Sequence, residues 1–186
     1  MHLLTPALFP PPILVLLLAV AGTAAYYDLR YRRIPNALSV GGVCAGLLVH
    51  LVLSGWGGLA RSAAGLGLAF AVYLLLYLAH AMGAGDVKLM AAVGAIAGPA
   101  DWFRVAVLAW FAGAVLALLL VTARRRLRRT LWNVAFILRE WMAGRPPYLT
   151  REDLDVKSEQ ALRLPHGLSI AAGVLAAVVL SLRRSA

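Results

Sequence analysis

The sequence predicts an all-α, polytopic membrane protein with about six transmembrane helices. Of its 186 residues, 62% are hydrophobic and 14% are charged, and the mean hydropathy is +0.81. A soluble domain of this length cannot bury so much apolar surface. The apolar residues also fall in separate runs of nearly membrane-spanning length, with most of the basic residues in the loops between them. These observations favour a helical bundle in a lipid bilayer.

Five apolar runs are long enough to span a bilayer. They cover residues 13–27, 37–53, 63–81, 103–122 and 167–182. We expect the first helix to begin near Ala7, with the prolines at 10–12 kinking or delaying its start. No Lys or Arg precedes this run, which argues against a secretory signal peptide. The run 87–97 is shorter than the roughly 20 residues of a full span, so we predict a short tilted helix there, or one that continues through Gly98.

The basic residues predict the orientation of the chain. With the N-terminus outside, the cytoplasmic loops hold 14 Lys and Arg residues and the outer loops hold four, as the positive-inside rule favours. Asp28 and Asp86 then lie at the cytoplasmic ends of helices, whereas Asp101 lies outside. Since the basic residues are concentrated in these loops, the net charge of +10 does not indicate nucleic-acid binding.

A segment at about 124–165 has a different composition. It opens with RRRLRR at 124–129, and an apolar series follows at helical spacing: Leu127, Leu131, Ala135, Leu138 and Met142. The pattern predicts a cytoplasmic amphipathic helix on the inner leaflet, ending at the RPP of 145–147, and then an exposed loop or short helix over 150–160. The arginines fix topology in one interpretation and contact anionic lipid or substrate in the other. We predict one membrane-embedded domain, 1–186, with this segment as an insertion.

Two acidic residues in the apolar region are the candidate catalytic residues. Only Asp28, Asp86 and Asp101 are acidic between residues 1 and 123, and carboxylates near lipid are usually functional because their burial is costly. Two carboxyl groups close together cannot both ionise easily, so one keeps its proton. Such a pair can activate a water and polarise a peptide carbonyl. The alternatives are an ion pair of Asp28 with a nearby arginine, and Asp86 as the N-cap of the helix at 87–97.

Residues around the second aspartate are candidates for support of the site. Gly83 and Gly85 allow backbone geometry closed to other residues and the close approach of an extended substrate. Lys88 could lower the pKa of a carboxylate or bind substrate, or simply reflect the topology. His166 is interpreted as a packing or solvent-exposed residue. The single cysteine, Cys44, forms no internal disulfide, and we predict no cofactor and no metal.

Three segments together resemble the type IV prepilin peptidases, which are bacterial and archaeal membrane aspartic proteases. They are DLRYRRIPN at 28–36, GAGDVKL at 83–89 and LPHGLSIAAG at 164–173. The first resembles the family's first aspartate followed by an Ile-Pro-Asn turn, here with Pro35 and Asn36. The second matches its GxGDxK motif, and the third its closing segment, with His166 where an aromatic residue is usual.

The resemblance implies a function for the chain. Asp28 and Asp86 would be the catalytic pair, and the substrate would be a prepilin-like protein whose basic leader is cut at the cytoplasmic face of the bacterial inner membrane. The absence of CxxC pairs implies the short, peptidase-only form that serves tight-adherence (Flp) pili, without N-methyltransferase activity. The alternatives are a presenilin-like intramembrane protease and a non-enzymatic membrane component of a pilus or secretion system.

Overall fold

The computed structural model describes residues 9–144 and 166–183, and in these ranges it contains six α-helices and no strand. The all-α prediction is confirmed. By length and composition, three of the helices can cross a membrane: α1, α2 and α4. In chain order the six are α1 (Pro11–Tyr31), α2 (Asn36–Leu78), α3 (Ala84–Ala97), α4 (Pro99–Ala123), α5 (Leu127–Met142) and α6 (His166–Arg183).

The start and end of α1 follow from local chemistry. The helix begins at Pro11, after an extended Pro10, because proline fits the first helical position, where its missing N–H is not needed. The proposed start near Ala7 lies outside the described residues. At the other end, Arg32 takes a left-handed conformation with φ 53°, and its N–H donates to the Asp28 carbonyl. The last turn of α1 therefore carries Asp28.

Helix α2 contains both the second and the third predicted spans. Its 43 residues break once, at Gly55, where φ is 61° and ψ is −148°. Glycine is suited to this geometry because it has no Cβ to clash. The chain reverses there so tightly that a Cβ built on Gly58 would collide with the His50 carbonyl. A helix of 43 residues is about 65 Å long, so its two arms are long enough for two crossings of a core about 30 Å thick.

Helix α3 is the buried centre of the bundle and packs mainly against α2. Every residue from Leu89 to Ala97 is buried. Glycines permit the contact: a Cβ on Gly46 would lie 2.9 Å from the Ala95 carbonyl carbon, and one on Gly94 would collide with the Gly65 carbonyl oxygen. The helix ends before Gly98, whose φ is 79°, so it is the short helix predicted from the run 87–97.

Polar side chains of α2 satisfy the carboxyl end of α3. The His50 ring nitrogen Nε2 lies 2.9 Å from the Ile96 carbonyl, and the Ser62 hydroxyl donates to the Ala95 carbonyl at 2.6 Å. The last four carbonyls of a helix lack helical partners and are costly to bury unpaired. His50 and Ser62 therefore allow this end of α3 to be buried.

Contacts divide the chain into two compact units, Met1–Gly113 with Pro165–Ala186, and Ala114–Leu164. In the first unit, α1 also packs along α6, and the core includes Leu17, Tyr73, Met90 and Trp102. The second unit contains α5, a helix at the predicted place, and its position on the inner leaflet stays a prediction. The predicted helix end at 145–147 and the loop at 150–160 lie outside the described residues, and the single-domain assignment stays a prediction.

Candidate active site

The first candidate carboxylate, Asp28, lies in the last turn of α1 against the first turn of α6. The Gly167 N–H donates to Asp28 Oδ2 at 2.8 Å. The amino end of a helix favours an anion because its N–H groups are free and its dipole is positive there. A Cβ on Gly167 would lie 2.9 Å from the Asp28 Cβ and 3.2 Å from the Ala24 carbonyl oxygen. Glycine at 167 thus lets α6 approach close enough for this hydrogen bond.

The second candidate carboxylate, Asp86, lies in the first turn of α3 and is 8% exposed. The Gly83 N–H donates to Asp86 Oδ2 at 3.3 Å, and the Asp86 N–H donates to the Gly83 carbonyl at 3.1 Å. The N-cap is Gly83, so the alternative that made Asp86 the cap itself was wrong. Asp86 sits three residues inside the helix, where its carboxylate reaches back to the cap.

The fold brings the two aspartates to the same end of the bundle. Asp86 interacts electrostatically with both Asp28 and His166. Asp28 lies at the carboxyl end of α1 and Asp86 at the amino end of α3, so these two helices run in opposite directions from the site. Two carboxyl groups that interact in this way do not ionise independently.

His166 is the residue that the sequence interpretation missed. It is the first residue of α6, next to Gly167, and it is half-buried. Its electrostatic interaction with Asp86 places a third titratable group at the pair. One feature of the sequence could have indicated this role: His166 immediately precedes the glycine of the closing motif, and a residue beside a close helix contact lies near the residues in that contact.

The Ile-Pro-Asn turn joins α1, the helix of the first aspartate, to the start of α2. Pro35 is the N-cap of α2, and Ile34 would be 3.7 Å from a Cβ on Gly85. The Lys88 ammonium donates to Asn36 Oδ1 at 2.9 Å. Lys88 therefore links α3 to the start of α2. Its suggested interaction with a carboxylate or with substrate stays a prediction.

The expected unusual backbone geometry of the glycines before Asp86 is wrong. Gly83 has φ −83° and ψ 154°, which any residue can adopt, and Gly85 is helical. A Cβ on Gly83 would lie 3.4 Å from Asp86 Oδ2, which is ordinary van der Waals contact. The support of the site by Gly83 and Gly85 remains a prediction, which rests on the close approach of an extended substrate.

An open groove lies between the end of α1 and the start of α2. It encloses about 450 Å³ and is lined by Tyr27, Tyr31 and the residues from Arg33 to Asn36. The Tyr27 and Tyr31 rings are tilted by 36° to each other, with centroids 5.6 Å apart. An extended, partly apolar segment of another chain fits the chemistry of such a surface.

The third acidic residue of the apolar region has a different environment. Asp101 is buried in the first turn of α4, beyond the far end of α3, where it accepts a hydrogen bond from Arg104 at 2.7 Å and lies 3.9 Å from Arg61. These two arginines compensate the charge of the buried carboxylate, so we interpret Asp101 as a structural residue. Within the described ranges, no group of three or more potential ligands is arranged to hold a metal ion.

Comparison with known proteins identifies the family. Residues 14–118 match the type IV leader peptidase family, and this range contains most of α1, all of α2 and α3, and both candidate aspartates. Searches of curated proteins and of solved structures found no match. Because the matched range is more than half of the 186 residues, the chain belongs to the type IV leader peptidase family.

Proposed function

We propose that the chain is a membrane aspartic endopeptidase that removes the basic leader of prepilin-like proteins at the cytoplasmic face. Asp28 and Asp86 are its catalytic carboxyls in this proposal. The observation that carries it is the convergence of these residues, from two different helices, within electrostatic range of each other. Membership of the leader peptidase family supports the substrate class.

The surroundings of the pair are consistent with general acid and base catalysis. A backbone N–H fixes Oδ2 of each carboxyl group, from Gly167 in one case and Gly83 in the other. Held in place, the groups need little reorganisation during the reaction. We assign the two Oδ1 atoms to the attacking water and to the substrate carbonyl.

The reaction then follows in two steps. The ionised carboxylate takes a proton from the water as its oxygen bonds to the peptide carbon, while the protonated partner gives a proton to the carbonyl oxygen. As the tetrahedral intermediate collapses, its carbon–nitrogen bond breaks and the protonated carboxyl gives its proton to the leaving nitrogen. One hydroxyl of the intermediate returns a proton to the ionised carboxyl, which restores the singly protonated pair. Because the pair titrates as a unit, neither role belongs to a particular residue in the resting enzyme.

The cytoplasmic placement rests on charge. Arg30, Arg32, Arg33 and Lys88 all lie at the end of the bundle that carries the aspartates, and the inner loops hold 14 of the 18 basic residues in the predicted topology. A substrate helix enters this end with its leader in the cytoplasm. The groove between the end of α1 and the start of α2, with Tyr27 and Tyr31, suits the apolar residues that follow the cleavage point.

Leader cleavage of a co-expressed prepilin-like substrate tests the proposal. Asp28→Asn and Asp86→Asn keep the shape of the side chain and remove its charge, so we expect each to abolish cleavage at unchanged membrane abundance. Asp101→Asn is the matched control, because it removes the third acidic residue of the apolar region at the other end of α3. Cleavage by a correctly inserted Asp28 or Asp86 variant would remove that residue from the mechanism.

We also propose that this chain cleaves without methylating the new N-terminus, as in the short form that serves Flp pili. The support is that the sequence contains one cysteine and no CxxC pair. The mass of the mature substrate measures this directly. A product heavier by one methyl group, made by the purified chain with a methyl donor, would refute it.

A further inference from the structure

A cluster of arginines lies where α4 gives way to α5. A cavity of about 660 Å³ is lined by Arg125, Arg126, Arg128 and Arg129, together with Trp132 and Asn133. Among the described residues that line it, none is acidic. Cationic side chains gathered around one cavity repel each other, so the arrangement favours an anionic occupant.

The backbone holds these arginines together in a tight turn. Arg125 has a left-handed φ of 53°, and the Arg126 N–H donates to the Val121 carbonyl at 3.0 Å. The Arg126 carbonyl in turn accepts from the Thr130 N–H at 3.0 Å. Since α4 ends and α5 begins within three residues, the arginines cannot spread apart along a flexible loop.

The arginines also lie at the unfavourable end of α5. The first turn of this helix contains Arg128 and Arg129 and no acidic residue. The amino end of a helix carries a partial positive charge and free N–H groups, so cations there are destabilising. A bound phosphate offsets both the helix charge and the repulsion between the guanidinium groups.

An exposed apolar stripe follows the cluster along α5. Its side chains are between 41% and 84% exposed and recur every three or four residues: Leu127, Leu131, Val134, Leu138 and Met142. This spacing places them on one side of the helix, while Arg128 and Arg139 project from an adjoining side. Such a helix lies in the membrane interface, with its apolar side among the acyl chains.

We propose that this cluster and stripe form a binding site for an anionic phospholipid. The headgroup phosphate occupies the arginine-lined cavity, with Trp132 at the level of the interface, and the acyl chains lie along the leucine stripe. A free phosphate ion would use the arginines but leave the stripe exposed. The basic leader of a prepilin-like substrate would be repelled by the cluster. The site does not depend on the proposed peptidase activity.

Lipid selectivity of the purified full-length protein tests this inference. The protein in a neutral detergent is mixed with equal amounts of phosphatidylglycerol and phosphatidylcholine, and bound lipid is counted by native mass spectrometry. Each basic residue near an anionic surface contributes about fivefold in affinity, so we expect at least a tenfold preference for phosphatidylglycerol. The variant Arg125→Gln/Arg126→Gln/Arg128→Gln/Arg129→Gln should bind both lipids about equally.

Two controls separate the site from net charge and from a phosphate site. Changing Arg145, Arg151, Lys157 and Arg163 to Gln removes the same four charges elsewhere in the sequence and should leave the preference intact. Inorganic phosphate, added at constant ionic strength, should not displace the lipid. An equal loss in the charge control, release by phosphate, or retained preference in the cluster variant would each overturn the proposal.

Discussion

A single methyl group added at Gly167 should disable the candidate site while both aspartates stay unsubstituted. In Gly167→Ala the new Cβ would lie 2.9 Å from the Asp28 Cβ, 3.1 Å from Asp28 Oδ2 and 3.2 Å from the Ala24 carbonyl oxygen. The first of these distances is shorter than real Cβ contacts, and the last involves backbone that cannot rotate away. Helix α6 must therefore move outward from α1.

The Gly167→Ala substitution has two destabilising effects and one stabilising effect on the folded state, and the destabilising effects are larger. Overpacking costs about 1–3 kcal/mol, and loss of a hydrogen bond to a charged group costs about 1.5–3 kcal/mol. Replacing Gly by Ala in a helix gains at most about 1 kcal/mol, and less in the first turn. The costs exceed the gain, so we expect a lower unfolding temperature. A displacement of Asp28 approaching 1 Å would lower the cleavage rate about a hundredfold.

The assay compares cleavage rate with stability in three glycine variants. Gly173→Ala, on the same helix, places a Cβ 2.7 Å from the Cα and Cβ of Ala109, so it overpacks α6 against α4 away from the aspartates. Gly22→Ala, on α1, meets no atom within 4 Å and should be neutral. We expect the Gly173 variant to lose stability while its folded fraction still cleaves, and the Gly167 variant to lose the rate itself. If the Gly167 variant cleaves like wild type per folded molecule, Gly167 does not position Asp28.

Three further predictions concern the surroundings of the site. Cleavage should have a bell-shaped pH dependence, and His166→Phe should move its acidic limb to higher pH because a nearby positive charge that favours the ionised carboxyl is lost; an unchanged profile would exclude His166 from the site. In a double-mutant cycle of thermal unfolding, Lys88→Ala and Asn36→Ala should couple by about 0.5–1 kcal/mol, the low end for a hydrogen bond because this one is exposed; zero coupling would contradict the contact. Gly46→Ala should lower the unfolding temperature because its Cβ meets α3 backbone at 2.9 Å, whereas Gly41→Ala, with no atom within 4 Å, should not; equal unfolding temperatures would contradict this packing.

The helices themselves were predictable because hydrophobicity is a local property of the sequence. Runs of apolar residues identified α1, both arms of α2, α4 and α6, and the short run at 87–97 identified α3. Helix boundaries were less accurate. The gap at 54–62 was expected to separate two helices, but the chain breaks only at Gly55, since one residue with positive φ suffices to reverse direction when small residues surround it.

Contacts between residues that are far apart in the sequence could not be predicted from the sequence. The hydrogen bond from Gly167 to Asp28 joins residues 139 apart, and no local pattern indicates which aspartate a helix end will meet. The same applies to His166, which looked like a helix-entry residue until the packing of α6 placed it by Asp86. The capping of α3 by His50 and Ser62 was also hidden, because side chains that satisfy a buried backbone look like isolated polar residues in an apolar run.

The burial of α3 explains how a site built from helix ends can hold its geometry. Helix ends fray when only their own hydrogen bonds hold them, yet Asp86 lies one turn from the start of a 14-residue helix. That helix is fixed along its length by glycine contacts with α2 and at its far end by His50 and Ser62, so it cannot slide without breaking buried hydrogen bonds. Among the described residues, the Asp28 carboxylate is held instead by one hydrogen bond, from the Gly167 N–H of α6. We therefore expect substitutions at the α1–α6 contact to misplace the pair more readily than those of equal stability cost along α3, which should unfold the bundle before they shift Asp86.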